Sequence, residues 1–269
     1  MEDLPQQLAV QGGVLPLVVG LVLAAALARL RLSGLAAVGG FLTAAYLIGS
    51  FSFWPLTAMR KLLLLAILAP ALGILVDLAF RPTQAAGPLL GALFGLASVW
   101  VFWSVLAQRP LGEALAMGSG VAAFIFWIVA FTLPLHADAL RVGSTGLALG
   151  LGTGIGAIVG ASAVLGLLGI ALAAGTGGFL VVAMFLGKRL AGGTILALSV
   201  SVIAALIGAA ALVLAEAPWW SLPLLALVPL AARLPIPARA PAWLRAIVVS
   251  LYTLPVGAAY CLLAWKFST

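Results

Sequence analysis

Apolar residues fill this chain in blocks of about twenty, and each block closes on a short cluster of polar residues, glycine or proline. No polar helical face and no two-residue alternation breaks the blocks, so water is not the solvent they are built for. At about 1.5 Å rise per residue, a helix of about 20 apolar residues crosses a hydrocarbon core of about 30 Å. The blocks lie near 13–30, 34–54, 59–80, 87–107, 111–134, 143–163, 165–187, 192–214, 219–232 and 246–266. They predict an all-α, polytopic transmembrane bundle of about ten helices, within a range of eight to ten, forming one integral membrane domain over residues 1–269. Punctuation agrees. Pro88 and Pro110 suit a first helical turn, where a missing amide costs little, and Arg81-Pro82 and Arg109-Pro110 form polar breaks.

The stretch 143–187 carries no charge and leaves two alternatives: two helices joined by a tight turn, or one helix with a re-entrant piece. Lys and Arg collect in cytoplasmic loops, and this bias separates the two. With ten helices and both ends outside, Arg29, Arg31, Arg81, Arg141, Lys188, Arg189, Arg233, Arg239 and Arg245 fall on the cytoplasmic side. Arg60, Lys61, Arg109 and Lys266 fall on the other. Merging 143–187 into one span weakens that asymmetry, so ten helices are expected. Glu2 and Asp3 precede the first block with no basic residue, unlike the start of a signal peptide. The asymmetry suits a bacterial cytoplasmic membrane.

Composition narrows the chemistry. The chain is 65% hydrophobic and 7% charged, with a mean hydropathy of +1.31. Its net charge of +7 fits basic loops against anionic headgroups and implies no nucleic acid. One histidine, one cysteine (Cys261) and six carboxylates build neither an intrachain disulfide nor a multi-histidine metal site, and no His-Glu-x-x-His occurs. No cofactor is expected.

Glycine dominates residues 144–178. Gly146, Gly150 and Gly154 repeat every four residues, and Gly152, Gly156 and Gly160 do so on an adjacent face. Small residues four apart let helix backbones approach in lipid, which predicts close packing within the bundle or between protomers. Alternatively the segment unwinds during transport and offers Thr145, Thr153 and Ser162 to a substrate, since each glycine weakens a helix by about 1 kcal/mol. Residues 152–157 fit the dinucleotide pattern G-x-G-x-x-A, but neither a preceding strand nor an acid about 20 residues on accompanies it. That match is accidental.

Ionisable groups inside a span are functional suspects because burying them costs several kcal/mol. Asp77 shares a helix face with Gly73 and Pro70, and Pro70 should kink the helix and free the carbonyl of Ala66. Such a carboxylate could bind a cation or carry a proton, although an ordinary i,i+4 pair with Arg81 near the cytoplasmic end explains it more simply. Pro255 marks a second kink, in the other of two pseudo-halves, 13–134 and 143–266; this layout resembles that of inverted-repeat transporters, although the two halves do not align in sequence. The loop 134–141 holds His136 beside Asp138 and Arg141, either a pH-sensitive cluster or a solvated loop. Ser119, flanked by glycines, could be a nucleophile only with His136 as its base, and seventeen residues of helix set them about 25 Å apart. The proline-rich loop 233–245, with Arg233, Arg239, Trp243 and Arg245, suits the inner headgroups or a docking partner.

Tryptophan adds a second asymmetry. Trp54, Trp100, Trp103, Trp219, Trp220 and Trp265 map to the outer interface, where indole rings anchor at headgroup level. Together with Arg109, the residues Trp100, Trp103, Trp219 and Trp220 form a candidate patch for a lipid headgroup or partner subunit. Three functions follow. One is a small permease with a pathway through Asp77, Pro70, Gly73, Thr153, Ser162 and Pro255. The second is a non-catalytic subunit or assembly factor of a larger membrane complex, or a homo-oligomer. The third, an enzyme acting on a lipid, is disfavoured for want of a base, nucleophile or metal cluster.

Overall fold

The computed structural model describes residues 9–49, 54, 56–79, 85–160, 162–187, 190, 192–215, 219–236 and 240–266. Glu2, Asp3, Arg81, Lys188, Arg189, Glu216 and Arg239 lie outside these. Ten helices follow one another without a strand among the described residues: α1 Val10–Ala26, α2 Leu35–Leu47, α3 Ala58–Ala79, α4 Ala86–Leu106, α5 Leu111–Leu135, α6 Ala139–Val159, α7 Ala163–Leu186, α8 Gly193–Leu214, α9 Trp219–Ala231 and α10 Ala242–Lys266. The protein is a helical membrane bundle. The uncharged stretch 143–187 is two helices, with Ser162 immediately before α7.

Seven helices are long and apolar enough to cross a bilayer, while α1, α2 and α9 are shorter. The expected span 34–54 therefore overstates α2, whereas 219–232 matches the short α9 to within one residue. Gly49, at φ 74°, turns the chain out of helical geometry just after α2. At about 1.5 Å per residue a 13-residue helix such as α2 reaches only about 20 Å. Two starts move the other way. Asp138 accepts the amides of Leu140 and Arg141 at 3.2 and 3.4 Å, so α6 begins at Ala139 rather than 143, and α10 begins at Ala242 rather than 246.

Contacts fix the directions. Antiparallel α6 and α7 cross where a methyl on Gly154 would stand 2.7 Å from the Ile170 nitrogen. Parallel α6 and α10 meet at Ser144 with Ser250 and again at Gly152 with Gly257. Parallel α6 and α8 meet at Gly146 with Val200 and at Thr153 with Gly208. Because α8 and α10 both run parallel to α6, α9 must carry the chain back between them. It does so from Trp219, which shares a groove with Leu212, to Ala232, whose carbonyl accepts Arg141 Nη1.

One end of the bundle thus gathers Arg141, Arg233 and Arg245, together with the α1–α2 turn that carries Arg29 and Arg31 and runs into Gly34 beside Gly192. Lys61 and Arg109 lie at the opposite end, Lys61 donating to the Trp100 carbonyl at 3.2 Å. The centre is α8, 94% buried along its most apolar window. It is enclosed by α3, α5 and α6, with α7, α2 and α4 completing the ring. The helices of the first half divide: α1 and α2 lean on α7, α3 and α5 lean on α8, and α4 leans on α5.

Candidate functional site

The expected pathway residues do not converge. Asp77 sits near the end of α3, where its carboxylate accepts the amides of Thr194 and Ile195 at 3.1 and 3.3 Å. It caps the first turn of α8 from a different helix. Gly193 beside it has φ 62°, and a methyl there would stand 2.5 Å from Asp77 Oδ2. One turn earlier, a methyl on Gly73 would stand 2.7 Å from the Ile195 Cα. Buried Pro70 continues the same face. These residues form the joint between α3 and the start of α8. Arg81 lies outside the described residues.

Thr153 is elsewhere. It lies against Gly208, thirteen residues further along α8 than Ile195 and so about 20 Å away, and its hydroxyl donates to the Leu149 carbonyl at 2.8 Å. Ser162 precedes α7 and makes no side-chain cap bond to it. Pro255 is exposed on the outer surface of α10.

The glycine residues divide between two neighbours. Gly146, Gly150 and Gly154 face α7 at Thr176, Ala173 and Ile170. Gly152 faces Gly257 of α10 and Leu225 of α9, and Gly156 lies under the Tyr260 ring. Gly160 ends α6. Any side chain on the first of these faces would meet backbone or a packed hydroxyl-bearing side chain, so this segment is a close-packed joint on two sides.

Among the described residues His136 bonds within its own turn, Nδ1 to the Leu133 carbonyl at 3.0 Å. Its expected partner Asp138 instead pairs with Arg245 Nη2 at 2.8 Å and Arg141 Nε at 3.5 Å. Sequence reading placed Arg245 in a lipid-facing strip and missed this pair; three residues contributed by α6 and α10 lock their adjoining starts. A cleft of about 430 Å³ opens beside them, lined by Asp138, Arg245, Gly187 and Leu190 among others.

Two larger grooves flank the first half of α5 at the opposite end. The first, about 860 Å³, runs between α5 and α9 over a floor of Phe124 and Leu212, with Glu113, Ala116, Gly120 and Trp219 along it. Trp127 closes it by donating Nε1–H to the Ala226 carbonyl at 3.0 Å. The second, about 680 Å³, runs between α4 and α5 past Trp103, Leu115, Gly118 and Ala122. Arg109 lines both. Thus Trp103, Arg109 and Trp219 stand together round the groove mouths, and Trp100 stands beside Lys61, whose ammonium lies 4.8 Å from its ring centroid. Trp220 neighbours Trp219 in the same turn.

Among the described residues no three His, Cys, Asp or Glu side chains gather as a metal site requires. No protein-family model, curated protein or solved structure matches this chain.

Proposed function

We propose that this chain is a non-catalytic component of a larger membrane assembly, working by lateral contact from its outer rim at Trp100, Trp103, Arg109, Trp219 and Trp220. One observation carries the reading: the centre is filled by helix. A buried α8 occupies the place a pathway would need, and Thr153, Ser199 and Ser201 donate their hydroxyls to carbonyls of their own helices. The groove between α5 and α9, the groove between α4 and α5 and the cleft beside Asp138 lie at the edges of the bundle, where neighbours can reach them. In this proposal the Arg31–Arg141–Arg245 end faces the cytoplasm of a bacterial cell, in keeping with the excess of basic residues there.

The permease reading retains one supporting feature, the prolines within α3 and α10. A purification separates the two. Tagged protein extracted from native membranes in a mild polymer is expected to carry a stoichiometric protein partner, which Trp103→Ala with Trp219→Ala releases. Recovery as a lone chain whose reconstitution supports substrate flux, lost in Asp77→Asn, would overturn the proposal in favour of the permease.

A further inference from the structure

Arg109 is half-buried, and among the described residues its guanidinium makes no ion pair or hydrogen bond. It lines both apolar grooves that flank α5, and Glu113, likewise without an ion pair among the described residues, lines the first. The grooves are long as well as apolar. From Arg109 to Phe124 the first follows α5 for about 22 Å, deeper than the roughly 15 Å of one leaflet's hydrocarbon. From Arg109 to Ala122 the second follows it for about 20 Å. Both volumes lie in the range of about 300–1,000 Å³ typical of ligand-sized clefts.

An unpaired cation held between two apolar channels calls for an anion that carries two apolar chains. An unpaired carboxylate at the mouth of one channel calls for a cation on the same ligand. We infer that the grooves bind one glycerophospholipid with a phosphoethanolamine headgroup, its two acyl chains straddling α5, its phosphate on Arg109 and its ammonium on Glu113. The exposed indole of Trp219 sits at the groove mouth, the level an interfacial ring prefers. The small residues Ala116 and Gly120 keep the first channel open: a methyl on Gly120 would meet nothing within 4 Å. The Glu113 carboxylate disfavours a purely anionic headgroup, which would satisfy Arg109 and leave negative charge beside Glu113.

The inference names a ligand for the outer rim and stands apart from the partner reading, because its assay uses the purified full chain alone. Delipidated protein in detergent is titrated with dioleoyl phosphatidylethanolamine or dioleoyl phosphatidylglycerol and analysed by native mass spectrometry. One phosphatidylethanolamine per chain is expected to survive, with a preference of about tenfold over the glycerol lipid. Arg109→Gln should reduce its retention about tenfold, Glu113→Gln should erase the preference, and Gly120→Leu should displace it by filling the first groove. Arg31→Gln, at the other end of the bundle, should change nothing. Equal retention of the two lipids, or wild-type retention by Arg109→Gln, would overturn the inference. So would disulfide dimers of an Ala116→Cys variant in a Cys261→Ser background, since the groove would then hold a second copy. Loss of the protein partner in the purification above, with lipid retained, leaves this inference standing and removes the other.

Discussion

The Asp77 carboxylate caps α8 at Thr194, 117 positions further along the chain, through a 3.1 Å bond from the Thr194 amide. A helix start leaves amides without intrahelical partners, and in a bundle interior water does not replace them. Here α3 supplies the acceptor that α8 lacks, since Gly192 and Gly193 have no side chain to offer. Asp77→Ala should therefore cost about 1 kcal/mol, lowering the Tm by about 2–4 °C in a chain of this size. Asp77→Asn, which keeps one acceptor oxygen but turns an NH2 group toward the second amide, should lose less than Ala. Thermal unfolding followed by tryptophan fluorescence checks both. A proton-carrying Asp77 would show the reverse, with unchanged Tm in both variants and activity abolished in Asn.

The α6–α7 crossing sets a second expectation. A methyl on Gly154 would stand 2.7 Å from the Ile170 nitrogen and 3.0 Å from the Gly166 carbonyl oxygen, atoms that cannot move without shifting a helix. Gly154→Ala should destabilise by about 1–3 kcal/mol, and Gly154→Val should prevent recovery of monodisperse protein. Gly120 gives the contrast on an open face. There Ala meets nothing, and the better helix former should be neutral or stabilising by up to about 1 kcal/mol. Size-exclusion profiles of tagged variants distinguish the two positions, although the residue change is identical.

Much of this fold was legible because lipid imposes a length on every crossing helix. The ten apolar blocks, the turn inside 143–187 and the two glycine faces all follow from spacing along the chain. What spacing could not show is who meets whom. The i,i+4 rule offered Asp77 only Arg81, because it looks along one helix; its acceptor role belongs to α8. The sequence places Asp138 in a loop beside His136, yet capping α6 brings it to Arg245 of α10. The shortness of α2 is not legible in the hydrophobic pattern, because the apolar block runs on past Leu47 while Gly49, at φ 74°, leaves helical geometry. The grooves beside α5 arise from how α4 and α9 lean against it, a property of no single segment.

The Asp138–Arg245 pair should be coupled measurably but modestly. Both side chains keep about a quarter of their surface exposed, so solvent screens the attraction. Arg245→Met should cost about 1 kcal/mol. Asp138→Ala should cost more, about 2 kcal/mol, because it also removes the cap from the Leu140 and Arg141 amides and the partner of the Arg141 side chain. A double-mutant cycle should return a coupling of about 0.5–1 kcal/mol. Additive losses would mean that Asp138 acts on stability as a cap alone.

Sidedness offers the last test, and it bears on every functional reading above. If the Arg31–Arg141–Arg245 end is cytoplasmic, then Arg109 and its grooves face outward. With Cys261 replaced by Ser, single cysteines at Gln108 and at Leu234 should label oppositely in intact cells. Gln108 and Leu234 are both exposed, at opposite ends of the bundle. A membrane-impermeant maleimide should modify Gln108→Cys fully before lysis and Leu234→Cys only after it. The reverse pattern would invert the molecule and place the phospholipid grooves in the inner leaflet. Labelling of both from outside would mean that α9, the shortest return path together with α2, fails to carry the chain across.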